Sequence, residues 1–352
     1  MQRRETKKIK VGSIAIGGDS PITVQSMVKA DAHDVDLVVK QILDLEQAGC
    51  DIVRMGFLDM QSVQNISAIK KRINIPLVAD IHFNHEFALE AIKQGVDKLR
   101  INPGNIGTKE QLAKVVKAAK ARSTTVPIRI GVNAGSLQKD ILEKYGGHPT
   151  AEGMVESARQ NIQLLEDLDF DQIVVSLKAS DVQLMNEAYT LFSNEYDYPL
   201  HVGVTEAGTK LSSTVKSSMG IGSLLMNGIG DTIRVSMTDS NVEEIRVGKE
   251  ILKNLGLRKN EPILISCPTC SRTSWDMIPL AHKVEEYLQT IKKPIKVAVM
   301  GCVVNGPGEA READLGIAGG NGMGVLFSKG QVIKSVPEAE MFNELKKLID
   351  TY

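Results

Sequence analysis

Residues 34–54 read DVDLVVKQILDLEQAGCDIVR, a helix, a stop and a strand in immediate succession. Val35, Val38, Val39, Ile42 and Leu45 recur with the 3.6-residue period of an amphipathic helix over 34–48. Asp34 is placed to cap its N-terminus and Gly49 to end it. The β-branched run at 51–55 then predicts a strand. The same punctuation returns in Gly95-Val-Asp97-Lys-Leu-Arg100 and Gly230-Asp231-Thr-Ile-Arg234, each a helix stop, an acid, a short strand and an arginine. Working outward from these repeats, the chain predicts strands at 22–26, 51–55, 76–80, 98–101, 127–132, 172–176, 200–204 and 232–236, with helical patterns between them. Such alternation implies right-handed βαβ units and a parallel sheet. Eight units in about 250 residues is the size of a (β/α)8 TIM barrel. A doubly wound open sheet shares the alternation, but its G-x-G-x-x-G after the first strand is absent.

Composition agrees with this α/β class. The 352 residues are 42% hydrophobic and only 4% aromatic, with 30 glycines, a mix suited to parallel strands buried under helices. Lys and Arg number 42 against 43 Asp and Glu, for a net charge of -1, so no basic surface for nucleic acid is expected. No apolar run is long enough to span a bilayer, and the basic start MQRRETKKIKVGSIAIGG has no apolar segment of a signal peptide behind it. The expectation is a soluble cytoplasmic protein without membrane or nucleic-acid partners.

The pattern changes after residue 255. GLRKNEP at 256–262 has the charge, Gly and Pro of a linker. Beyond it, strands are predicted at 263–266, 295–300, 314–318, 324–327 and 331–334, with helices at 273–290 and 337–350. The domains expected are therefore a barrel over 1–255 and a smaller α+β domain over 263–352.

In a barrel, working side chains collect at the C-terminal strand ends. Read in order, those ends offer Gln25 and Ser26, Arg54, Asp80 and His82, Arg100 and Asn102. Arg129 and Asn133, Ser176 and Lys178, Glu206, then Arg234 and Ser236 complete the set. Forked guanidinium groups in such number suit a phosphate or diphosphate. Single arginines at strand ends are often structural ion pairs. A whole set would need as many matching acids. Glu206, the lone acid at the seventh strand end, would be ionised among these cations. It is placed to hold a substrate hydroxyl or move a proton.

Four cysteines are too few for a disulfide scaffold. Cys50 stands alone at a strand foot, as a small buried apolar residue would. Cys267-Pro-Thr-Cys270 on a strand–helix turn, with Cys302 after the next strand, groups three thiols on one side of the smaller domain. Three cysteines can hold three irons of a 4Fe-4S cluster. A C-x2-C alone serves zinc or a thiol redox pair equally well. A zinc-containing phosphate-sugar lyase and a non-catalytic electron carrier therefore remain open at this point.

CPTCSR at 267–272 and GCVVNGPGEA at 301–310, with VADIHF, LRINPGNIG and RIGVNAGSL upstream, resemble the bacterial 4-hydroxy-3-methylbut-2-enyl diphosphate synthase family over nearly the whole chain. The resemblance implies a dihydropteroate-synthase-like barrel joined to an iron–sulfur domain similar to those of sulfite and nitrite reductases. It implies reductive opening and dehydration of 2-C-methyl-D-erythritol 2,4-cyclodiphosphate in isoprenoid precursor synthesis, with flavodoxin or ferredoxin as electron donor. It implies a 4Fe-4S cluster on Cys267, Cys270, Cys302 and Glu309. Diphosphate contacts fall on Arg54, Arg100, Arg129 and Lys178 and the acid on Glu206, while the strand-end reading by itself adds Asp80, His82, Asn102 and Asn133 as further substrate contacts. It further implies a homodimer in which the cluster domain of one chain caps the barrel of the other. The linker agrees, since about seven residues reach only roughly 25 Å, too short to bring a domain from the barrel foot to its own mouth.

Overall fold

The helix expected over 34–48 spans Val35–Ala48. The Asp34 carboxylate accepts the Leu37 N–H, and Gly49 leaves the helix in the left-handed region at φ 96°. Val38, Val39, Ile42 and Leu45 form its buried stripe. This is a computed structural model that describes residues 2–273, 275–302, 310, 312–320 and 322–352. The chain divides into two compact units, Met1–Leu257 and Arg258–Tyr352. No described helix is long and apolar enough to cross a membrane.

The first unit opens with a hairpin of β1 (Ile9–Val11) and β2 (Ile14–Ile16), turned at Gly12 with φ 56°. Eight parallel strands follow: β3 (Thr23–Met27), β4 (Ile52–Gly56), β5 (Leu77–Asp80), β6 (Lys98–Ile101), β7 (Ile128–Asn133), β8 (Ile173–Lys178), β9 (His201–Val202) and β10 (Thr232–Ile233). Each pairs with the next from β3 to β8, and β10 lies between β9 and β3. A bridge from Val175 to Leu200 closes the ring between β8 and β9. The barrel is the predicted one. The hairpin was not foreseen, although Gly-Ser between alternating apolar residues is a turn signal.

The repeated acid has a definite task. Asp51 accepts the Val24 N–H, Asp97 the Leu77 N–H and Asp231 the Leu200 N–H, each at 2.8 Å. Each carboxylate thus staples the entry of a neighbouring strand, satisfying a backbone donor at the barrel foot. Asp314 does the same for Lys296 in the second unit.

Alternation along the strands separates two environments. Val53, Met55, Leu77, Ala79, Leu99, Ile128, Ile130, Ile173, Val175 and Leu177 belong to one apolar core under the helices. The positions between them face the barrel axis. At the foot, Ile52 and Val78 pack on Val11 and Ile16 of the hairpin. Beside and above that floor the interior is polar, with Lys98, level with Val78, and Arg100, Arg129, Ser176, Lys178, His201 and Thr232 all buried.

The second unit is a five-stranded sheet in the order β11 (Ile263–Ser266), β12 (Lys296–Met300), β13 (Leu315–Gly320), β14 (Met323–Ser328) and β15 (Gln331–Pro337). The first three run parallel and the last two antiparallel. Helices Ile278–Leu288 and Met341–Thr351 pack on one face through Leu280, Val284, Leu345 and Ile349. Both helices are shorter at their N-termini than expected. Pro279 sits in the first turn of one, and the residues before the other form a 3-10 turn, Glu338–Glu340.

Candidate active site

At the C-terminal end of the barrel lies a polar cavity of about 130 Å³ lined by Arg54, Arg100, Arg129, Lys178 and Arg234, with Asp80, His82 and Asn133 among its other walls. Ser176, Thr205 and Ser236 complete it. Strand register explains the gathering: Arg100 is level with both Asp80 and Arg129, and Asn133 with Lys178. Arg100 donates to Asp80 at 3.2 Å and to the Gly131 carbonyl at 3.2 Å. Arg54 approaches the other Asp80 oxygen at 3.6 Å. His82, half exposed at the rim, stands 4.0 Å from the same carboxylate.

The cations outnumber the acids, and their ionisation shows it. Burial raises the Asp80 carboxyl, but Arg54, Arg100, His82 and Arg129 together outweigh that and hold it below the usual range. Burial, with Arg234 and Arg100 nearby, pushes Arg54 down to about 10 despite Asp80. Lys178 is driven well down by burial and by Arg234, Arg129 and Arg54. Burial and two arginines also lower His82 against the pull of Asp80. A site so arranged lacks negative charge, and a multiply charged anion supplies it.

Several residues noted at strand ends stand elsewhere. Ser26 faces outward and donates to Glu244 at 2.9 Å. Gln25 is fully buried below the cavity. The Asn102 carboxamide accepts the Gly131 N–H at 3.0 Å, so it ties β6 to β7 and does not line the cavity. Glu206 is exposed on the loop after β9 at a left-handed φ of 51°, a strained setting for a non-glycine residue, and it too is outside the cavity wall. Sequence reasoning missed Thr205 and Glu244. Buried Glu244 holds Arg234 at 3.4 Å and accepts the Met237 N–H. Its only signal was an acid in the first turn after β10.

Two glycines were also passed over. A Cβ at Gly131 would lie 2.5 Å from Arg100 Nε, and one at Gly203 would lie 2.2 Å from the Arg234 carbonyl and 3.0 Å from Lys178 Nζ. Gly131→Ala therefore should displace the Arg100 guanidinium while the strand persists, since only a side-chain end has to move. Loss of one charged hydrogen bond of about 1.5 kcal/mol or more predicts roughly tenfold weaker diphosphate binding. Pyrophosphate titration checks it, and unchanged affinity would show that Arg100 adapts.

The thiols lie in the second unit. Ser266 is level with Val299, so Cys267 and Cys302 leave neighbouring parallel strands at the same end. Cys270 follows in a turn where Thr269 has φ 62°, and the Thr273 hydroxyl accepts the Cys270 N–H at 3.1 Å. The same Thr273 lies against Gly301, where a Cβ would come within 2.8 Å of its oxygen. This contact brings the two cysteine-bearing loops together. All three thiols are free, and the Arg272 N–H lowers that of Cys270, aided by the Arg272 charge. Among the described residues no three His, Cys, Asp or Glu side chains form a metal-holding group. Glu309 lies outside the described residues. Three soft donors at one end of one sheet, one with its thiol pKa lowered by the Arg272 N–H, fit three irons of a four-iron cluster. Buried Cys50, its thiol pushed up to about 12 by burial, has the structural place expected of it.

Comparison with known proteins completes the picture. The GcpE TIM-barrel domain matches residues 6–249, and the GcpE protein C-terminal domain matches residues 263–351. The 4-hydroxy-3-methylbut-2-en-1-yl diphosphate synthase (flavodoxin) of Geobacillus thermodenitrificans is 59% identical over 350 residues, 99% of this chain and 93% of that protein. The protein of the same name from Clostridium perfringens is 57% identical over all of both chains. Among solved structures, the dihydropteroate synthases of Yersinia pestis and Vibrio fischeri superpose with TM-scores of 0.51 at 12% and 14% identity. Each covers 71% of this chain and 98% of its own, a likeness of fold alone.

Proposed function

The chain belongs to the GcpE family, and on that premise we propose that it reduces 2-C-methyl-D-erythritol 2,4-cyclodiphosphate to (E)-4-hydroxy-3-methylbut-2-enyl diphosphate, a step of isoprenoid precursor synthesis. The observation that carries this reading is the barrel cavity, where four arginines and a lysine surround one carboxylate. Two electrons and two protons enter and one water leaves. The C–O bond from the tertiary carbon to the ring phosphate breaks, the neighbouring C–OH bond breaks, and a C=C bond forms between those carbons.

The barrel's part is electrostatic. Arg54, Arg100, Arg129 and Lys178 bind the phosphates, and forked guanidinium groups hold two oxygens each. Ring opening leaves an additional negative charge on the freed phosphate. Preorganised cations stabilise that charge with little reorganisation. Asp80, fixed between Arg54 and Arg100, orients both forks, and with His82 and Asn133 it positions the carbon skeleton. Asn102 keeps β7 in register beneath them. Glu206, on the loop after β9, holds a substrate hydroxyl or carries a proton at the rim.

Cys267, Cys270 and Cys302, with Glu309, would hold a 4Fe-4S cluster, which supplies single electrons and a Lewis-acidic iron for the departing hydroxyl. Flavodoxin, or ferredoxin in its place, delivers the electrons. Anaerobic purification should give a brown protein with about four irons and four sulfides per chain. It should turn over the cyclodiphosphate with reduced flavodoxin. A colourless zinc protein, or a brown one without affinity for the cyclodiphosphate, overturns the reading.

The working form proposed is a homodimer whose cluster domain serves the partner's barrel, as the short linker suggests. Mixing an inactive Cys302→Ser chain with an inactive Arg129→Ala chain should then restore activity, because one composite site has both parts intact. If the chains exchange and no activity returns, each chain is self-sufficient.

A further inference from the structure

The interior of a (β/α)8 barrel is ordinarily filled by layers of branched apolar side chains. Here the level beneath the cation cavity, where Lys98 pairs with Val78 and Gln25 with Ile52 of the apolar floor, carries buried polar groups with few partners. Lys98, Gln25 and His201 are each 0% exposed. Among the described residues, Lys98 Nζ, both amide atoms of Gln25, His201 Nε2, and Arg129 Nε and Nη1 have no hydrogen-bond partner. Register puts Lys98 one inward position below Arg100, Gln25 one below Met27, and His201 one below Gly203, where Lys178 Nζ rests. Buried polar groups without partners are uncommon, and a buried ammonium without an acid is costly.

The charged groups facing Lys98 are Arg129 from β7 and Arg54 from β4, both cations. His201 from β9 also faces it. The acid next to it in the chain, Asp97, is engaged by Lys70 and by the Leu77 N–H. Above, among the described residues, Arg54, Arg100, Arg129, Lys178 and Arg234 are opposed by Asp80 and Glu244. A bound cyclodiphosphate adds two negative charges to this column, and ring opening adds one more.

We propose that Lys98 is a neutral amine in the empty barrel and takes one proton from solvent when a diphosphate fills the cavity above it, so that the interior gains positive charge in step with its ligand. This rests on the diphosphate reading given above. The balance is simple: the amine lone pair binds H⁺ drawn from buffer, and no other bond is made or broken. Burial and the two arginines drive the free amine's affinity for protons well down, and the ligand's charge reverses the second of these causes.

Each phosphate of the cyclodiphosphate carries one carbon ester and the shared anhydride oxygen, so its one acidic oxygen stays ionised near neutrality and protons taken up on binding belong to the protein. Calorimetry of oxidised full-length protein with the cyclodiphosphate at pH 8, in two buffers of different ionisation enthalpy, counts them. Wild type should take up protons on binding, at most one per ligand, and affinity should fall, by no more than tenfold per pH unit, as pH rises between the pKa of the free amine and that of the ligand-bound amine. Lys98→Met and Lys98→Gln, checked by circular dichroism and melting, should lose that uptake and that slope. Either folded variant decides the matter. Binding with no uptake in wild type, or full uptake in a folded variant, overturns the inference alone. No binding at all sinks the diphosphate reading together with it.

Discussion

Replacing Cys267, Cys270 or Cys302 by Ser should leave a folded chain that cannot assemble a normal four-iron cluster and loses turnover. A serine hydroxyl is a harder donor with a far higher pKa, so it does not replace a thiolate on iron at neutral pH. The fold should survive because the three residues lie beyond the strands they follow. The β11–β12 ladder stops at Ser266 and Val299, and Cys270 is exposed. Iron and sulfide analysis after anaerobic reconstitution, with the visible spectrum, checks each variant separately. A variant with full iron content and turnover would remove its cysteine from the ligand set. Glu309→Gln should keep more cluster and still lose most activity, because a neutral amide is a weaker ligand than a carboxylate. Unchanged turnover there would count against a role for Glu309.

Arg129→Ala should bind the cyclodiphosphate roughly 10- to 150-fold more weakly, taking about 1.5–3 kcal/mol for a charged hydrogen bond and tenfold per ~1.4 kcal/mol. Its cluster spectrum should not change. Arg129 is 1% exposed, so the alanine also leaves a hole, and Arg129→Met is the companion that keeps the volume. Stability should move the other way in the methionine variant. Arg129 is buried beside Arg54 and Arg100, and removing one of three crowded cations relieves repulsion and a desolvation cost. The methionine variant should melt no lower than wild type while binding ligand poorly, the trade expected where a site is built against stability. Equal affinity in wild type and in both variants would remove Arg129 from the diphosphate site.

The barrel was legible because its signals are local and repeated. The helix over 35–48 announces itself by apolar spacing, cap and stop, and each repeated glycine, acid and arginine marks a strand's two ends. The cysteine loops stand out in the sequence because few other residue types serve metal or redox chemistry. The N-terminal hairpin was lost because three-residue strands carry too little periodicity, and they are held by the barrel floor.

The sequence alone determined the fold class, the two-part organisation of motifs and the identity of the cations, since these follow from short-range pattern and residue chemistry. Only the tertiary structure decided which strand-end groups share a cavity. Inward or outward direction depends on register, and a shift of one residue reverses it. Gln25 and Ser26 are neighbours in the chain, yet one points down into the barrel axis and the other out to Glu244. Gly131 and Gly203 acquired meaning only where Arg100 and Lys178 were seen lying across them. Lys98 reads as an ordinary strand residue until the closed ring puts two arginines and, among the described residues, no facing acid beside it, because long-range electrostatics is fixed by which strands meet, not by which residues are consecutive.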